Sequence, residues 1–148
     1  MGRDDGIEQA WGRLVHLLFS RRTIFLAMSR ELGLTPPQTH ALMTLSDGPA
    51  RMGSMADAMV CDASYITSIV DRLEELGLAE RQPSTTDRRV KEVALTAAGR
   101  QAVARLHRAM FEPPAVLHQL SARDRNDLVR IAQRLAPDDP GPPRFDVR

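Results

Sequence analysis

The stretch Ser54–Thr96, SMADAMVCDASYITSIVDRLEELGLAERQPSTTDRRVKEVALT, decides the fold of this 148-residue chain. Within it Ile66, Ile69, Val70, Leu73 and Leu76 recur at offsets that share one side of an α-helix. Asp62 stands before the series and suits an N-cap: its carboxylate accepts from free N–H groups of the first turn and sits at the positive end of the dipole. Gly77 follows the last apolar residue, where a left-handed cap ends a helix. The opposite face carries Ser64, Tyr65, Thr67, Ser68, Asp71, Arg72 and Glu75. Its first two turns hold short donors and acceptors and no long charge, so that end can approach base edges closely. Arg72, a turn further on, can reach a phosphate.

Upstream, Ser54 and Asp57 stand at capping-box spacing and predict a short helix opening there, with Met55 and Met59 on one side and an end near Val60–Cys61. Helix, tight turn, helix with a polar outer face is the helix-turn-helix pattern, whose second helix enters a major groove. Two short helices at an angle also occur in many all-α proteins, so the sequel carries the decision. Leu78–Gln82 and Val90–Leu95 read as short strands, with Val93 and Leu95 on one face. The connector Pro83-Ser84-Thr85-Thr86-Asp87-Arg88-Arg89 is turn-forming and basic. From Arg81 to Lys91, Arg81, Arg88, Arg89 and Lys91 face one acid, Asp87, for a local charge of +3. A hairpin of this kind can lie along a nucleic-acid backbone and insert an arginine into a minor groove.

The run Asp71-Arg72-Leu73-Glu74-Glu75-Leu76-Gly77-Leu78, then Asp87-Arg88-Arg89, then Leu95-Thr96 followed by Gly99, resembles the MarR family of bacterial transcriptional regulators over about residues 7–136. The resemblance implies a winged helix-turn-helix: a mainly α fold with a small two- to three-stranded β wing and long terminal dimerisation helices. It also implies an obligate homodimer, most often a repressor, on a pseudo-palindromic double-stranded operator. Release by a small phenolic or other hydrophobic effector, or by an oxidant, goes with it. Carried over residue by residue, it implies base and phosphate contacts from Ser64, Tyr65, Thr67, Ser68 and Arg72, and we group Ser54 and Arg81 with that surface. Arg89, or its neighbour Arg88, matches the minor-groove arginine, and Asp87 the acid that orients it through a charge-assisted pair. Asp87 equally suits a turn residue bonding its own backbone. Cys61 departs from the peroxide-sensing branch, which places its reactive cysteine near the first helix. Redox sensing through Cys61, at a helix N-terminus, stands against the plainer reading of a small core filler.

Around the reader the chain is helical. Ile7, Trp11, Leu14, Leu18, Phe25, Met28 and Leu32 form a heptad-like seam interrupted by Arg21, about 26 residues or roughly 39 Å long. Val15, Leu17, Ile24 and Leu26 add a second apolar side, so one flank is expected to meet the core and the other a second subunit. Thr35-Pro36-Pro37-Gln38 opens a helix with buried Ala41, Leu42 and Leu45, and Asp47-Gly48-Pro49 stops it. Thr96 caps a helix that Pro113-Pro114 breaks or kinks, and Ser121 with Asp124 opens the last one. The expected division is one domain over 1–148, with dimerisation helices at 7–34 and 97–136, the winged helix at 35–96 and a mobile proline-rich tail at 137–148.

Composition bounds the rest. The net charge is +1, from 20 basic and 19 acidic residues, so the chain is no polycation. Lys91 is the only lysine; the arginine excess fits fork-type phosphate contacts but equally a GC-rich genome. A single cysteine excludes an internal disulfide, and no apolar run approaches a membrane span, which together predict a cytoplasmic, soluble protein. His16, His40, His107 and His118 are scattered without metal-ligand spacing, and neither a nucleophile elbow nor a phosphate loop is present, so no cofactor, metal or enzymatic step is expected. Trp11, His16, Met28, His40 and Met43 are candidate effector-pocket residues at the junction of reader and terminal helices. The main alternative is a winged helix that binds protein, supported by seven cations against eight acids over residues 51–100.

Overall fold

The structure, a computed structural model, describes residues 5–136. In chain order its elements are α1 (Asp5–Glu31), α2 (Pro36–Thr44), a 3-10 turn (Leu45–Asp47), β1 (Ala50–Arg51), α3 (Met52–Met59) and α4 (Ala63–Glu75). There follow β2 (Ala79–Pro83), β3 (Lys91–Leu95), α5 (Ala97–Phe111), α6 (Ala115–His118) and α7 (Ala122–Leu135). The strands form one antiparallel sheet in the order β1-β3-β2, with Ala50 opposite Val93 and Arg81 opposite Val93 from the other side. The fold is therefore mainly helical with a three-stranded wing.

One core holds it. Leu42, Leu45, Met55, Ile66, Val70, Leu73, Val93 and Leu106 are fully buried, drawn from α2, its 3-10 turn, α3, α4, β3 and α5. Each such side chain withdrawn from water contributes about 1.5–3 kcal/mol, so α2 to β3 is stabilised chiefly by this shared cluster. Phe25, Met28 and Leu32, the C-terminal half of the α1 seam, pack against it. The N-terminal half does not: Ile7, Trp11 and Leu18 are 63–68 % exposed. Helix α7 buries none of its residues, and its Leu128, Val129, Ile131 and Leu135 face outward.

Local signals set most boundaries. Asp62, Thr96 and Ser121 each cap a helix with a side-chain oxygen that accepts a backbone N–H, from Tyr65, Gly99 and Asp124 respectively. Gln38 Oε1 accepts from Thr35 N at 2.9 Å, one half of the capping box at α2. Pro113 and Pro114 end α5 at Phe111, and the short helix α6 follows them.

Three helices end in the same motif, in which the second residue past the last turn donates to the carbonyl five residues back. The bonds are Leu34 N to Ser29 O, Cys61 N to Ala56 O and Leu78 N to Leu73 O, at 2.9–3.0 Å. The motif needs a left-handed residue, supplied by Gly33 (φ 71°), Val60 (φ 52°) and Gly77 (φ 68°). Glycine adopts this conformation without penalty; a β-branched residue does not. Val60 gains nothing by packing, being 92 % exposed. Val60→Gly is therefore expected to stabilise the fold by about 1 kcal/mol, net of the freedom glycine adds to the unfolded chain. The check is a higher urea midpoint at an unchanged m-value; an unchanged or lower midpoint would show that Val60 is not strained.

One expectation needs correction here. Helix α3 opens at Met52, not Ser54, and Arg51 is its N-cap, with Ser54 lying in the first turn. The reason is tertiary: pairing of Ala50–Arg51 with Val93–Glu92 delivers the chain into the helix two residues early, and Met52 packs on the core. The wing, expected with two to three strands, has three, and β1 is the strand that lies outside the hairpin. The tail expected to be mobile lies outside the described residues.

Candidate nucleic-acid interface

Helix α4 separates its two faces sharply. Ile66, Ile69, Val70 and Leu73 are buried, whereas Ser64, Tyr65, Thr67, Ser68, Asp71 and Arg72 are exposed. The N-terminus of this helix is fixed by Asp62, whose Oδ1 accepts from Ser64 Oγ at 2.6 Å and from Tyr65 N at 2.8 Å. The hydrogen bond from Ser64, then that from the Tyr65 amide, hold the Asp62 carboxyl below its ordinary value, so it caps the helix as an anion at neutral pH.

The hydroxyls of this face are oriented by the helix itself. Thr67 Oγ1 donates to Ala63 O and Ser68 Oγ to Tyr65 O, each at 2.8 Å, as Ser64 Oγ donates to Asp62. A hydroxyl has one proton to give, and in all three it is committed inward. What these oxygens turn outward are lone pairs, which match the N4 amino group of cytosine and the N6 amino group of adenine in a major groove. Tyr65, 45 % exposed, adds a phenol to the same end.

The wing is closed by Ser84 N donating to Val90 O at 2.8 Å and carries Arg88, Arg89 and Lys91 in the open. Asp87 Oδ1 accepts from the backbone N of Arg89 at 3.0 Å, and its carbonyl accepts from Val90 N. Asp87 thus shapes the turn through backbone bonds, and among the described residues no ion pair joins it to Arg88 or Arg89. Of the two roles considered for Asp87, the structure contains the turn role.

Arg81 departs most from expectation. In place of an open cation at the foot of the wing, its guanidinium is bound by Asp71 Oδ1 at 2.6 Å and by Glu74 Oε2. Glu74 Oε1 also accepts the Arg81 backbone N–H at 2.8 Å. Partial burial works against the Arg81 charge, but the two carboxylates outweigh it and raise its pKa above the ordinary guanidinium value. Arg81 is therefore occupied within the fold and is not an open cation beside the wing. Arg72 pairs with Glu75 at 2.8 Å, but both are well exposed and free to exchange partners. The surplus of acids on α4 was the sequence signal that could have pointed to Arg81 as their partner.

Ser54 is exposed in the first turn of α3. Cys61 packs against the core, half-buried. The five candidate pocket residues do not share a pocket. His40 and Met43 line a cavity of about 450 Å³ between α1, α2 and α5 with Phe25, Met110 and Phe111. Met28 borders a separate cavity beside Arg21 and Arg105, and His16 a groove along α1. Trp11 is 63 % exposed. Helix crossing sorts them apart, which their sequence positions do not reveal.

A buried apolar stripe behind an outward hydroxyl face, with a basic hairpin beside it, defines a winged helix-turn-helix protein. The MarR family profile matches residues 34–91. Over those residues, which span α2 to the wing, the chain carries the sequence pattern of the MarR family. It is 35% identical over 105 residues to a protein of Thauera aromatica, provisionally described as the transcriptional regulatory protein for the hcr operon; the match covers 70% of this chain and 63% of the relative. It is 37% identical over 75 residues to the HTH-type transcriptional repressor MdtR of Bacillus subtilis (strain 168), covering 50% and 48% of the two chains. The chain thus spans less than two thirds of the length of these curated relatives. Among solved structures, YusO of Bacillus subtilis has the same fold, with a TM-score of 0.73, 24% identity and coverage of 93% of this chain and 99% of that one.

Proposed function

We propose that this protein is a sequence-specific transcriptional regulator that binds duplex DNA as a homodimer, acting as a repressor, with no covalent step. The observation that carries the reading is the exposed Ser64–Ser68 face on a helix whose other side is wholly buried. Such a helix offers acceptors to base edges while its position is fixed by the core. Arg72 supplies a phosphate contact, and Arg89 or Arg88 enters the adjacent minor groove. The names of the two relatives, a regulatory protein and a repressor, accord with it.

The outward apolar residues of α1 and α7 support the second half of the reading. Isolated exposed apolar side chains are ordinary; two helices with continuous unpartnered stripes call for a partner surface. A second copy of the chain fits, and two-fold symmetry then sets two α4 helices about 34 Å apart on successive major grooves. The cavity lined by Phe25, His40, Met43, Met110 and Phe111 suits a small aromatic effector, since it is mostly apolar and lies between reader and terminal helices. The work is done in the cytoplasm, where the DNA is.

Arg89→Ala tests the wing. Operator affinity in gel-shift titrations is expected to fall about tenfold, with the salt dependence shallower by about one unit of log–log slope. Unchanged affinity would remove the wing assignment. Binding that does not weaken with salt would favour a protein-interaction role in place of DNA.

A further inference from the structure

Helix α4, counted with its cap, carries Asp62, Asp71, Glu74 and Glu75 against Arg72 alone: four acids less one arginine, or −3. That is an unfavourable charge for an element that enters a groove between phosphates. Asp62 is committed to capping, and in the unbound chain Glu75 is matched by Arg72. Asp71 and Glu74 remain, with side chains 55% and 32% exposed, and both are bound by Arg81.

We propose that Arg81 acts in DNA binding without touching DNA, by offsetting half of the charge of Asp71 and Glu74 on the recognition helix and so letting that helix approach the phosphates. The inference rests on the DNA-binding reading above. The geometry supports this offset over direct contact. The Arg81 side chain is 24% exposed, about half the value for Arg72, and its two terminal nitrogens are each taken by a carboxylate. A guanidinium fork is suited to hold two acids at once, which a lysine is not. The backbone N–H of Arg81 bonding Glu74 keeps the pair in register with the first residues of β2. Arg81 is accordingly a positioning residue, and its effect on DNA passes through Asp71 and Glu74.

The test uses the full chain and a duplex selected from a random pool by the wild-type protein, titrated by fluorescence anisotropy at several salt concentrations. Arg81→Ala is expected to weaken binding about tenfold with the log–log salt slope unchanged, since no phosphate contact is lost. Adding Asp71→Asn and Glu74→Gln to that variant is expected to restore affinity to within about threefold of wild type. A slope shallower by about 0.9, the mark of one lost phosphate contact, would overturn the proposal. So would a triple variant as weak as Arg81→Ala alone. Should Arg81→Ala fail to fold, Asp71→Asn/Glu74→Gln on its own must bind at least as tightly as wild type, and weaker binding would count against the charge offset. A wild-type chain that binds no duplex at all removes the DNA-binding reading itself, and the proposal with it.

Discussion

Gly99→Ala is expected to unfold this protein or to cost it about 3 kcal/mol or more, although it adds a single methyl group. A Cβ at Gly99 would lie 1.8 Å from the carbonyl oxygen of Leu78 and 2.9 Å from its carbon. Neither atom is the yielding end of a side chain. Leu78 O also accepts the N–H of Thr96 at 3.1 Å, and Thr96 Oγ1 donates to Gly77 O at 2.6 Å while capping α5. The first turn of α5 is thus held directly on the backbone that ends α4, and a methyl group there must push the two helices apart. Urea denaturation followed by circular dichroism reads the loss. Gly53→Ala is the control: it sits in α3 with nothing within 4 Å of its added Cβ, and its midpoint should stay level or rise. Equal midpoints for Gly99→Ala and wild type would mean that the close approach is not real.

The second large effect concerns assembly. Leu128 and Ile131 lie on the outward side of α7, and replacing both with glutamate puts two charges where the homodimer reading requires apolar contact. Sedimentation is expected to change from dimer to monomer. Operator affinity is expected to fall about a hundredfold or more, because one reader then holds one half-site without its tethered neighbour. A wild-type chain that sediments as a monomer at micromolar concentration, or a variant that remains dimeric, would refute the arrangement. Circular dichroism should remain that of the wild type, since α7 buries nothing within its own chain.

The parts of the fold that sequence made legible are those specified by near neighbours. The apolar spacing of Ile66, Ile69, Val70 and Leu73, the Asp62 cap and the Gly77 stop all act within about four turns of one helix, and each is found where the spacing puts it. The same holds for Thr96 and Ser121. What escaped depends on distant pairing. The start of α3 is set by strand partners about forty residues away, and Arg81 finds its acids across the turn between α4 and β2. Gly99 was visible as part of a motif, but its reason, contact with Leu78, exists only once β2 and β3 have paired. The candidate pocket residues were grouped by chemistry, and the crossing of α1 over α5 distributed them among separate cavities.

The residue that interrupts the apolar seam of α1 has a role of its own. The Arg21 guanidinium donates to Arg108 O at 3.2 Å and Glu112 O at 2.8 Å at the end of α5, just before Pro113 and Pro114. The terminus of one helix is therefore finished by a side chain borrowed from another, far away along the chain. Helix α5 is thus anchored at both ends, by Arg21 of α1 at its tail and by the close approach of Gly99 to Leu78 at its head.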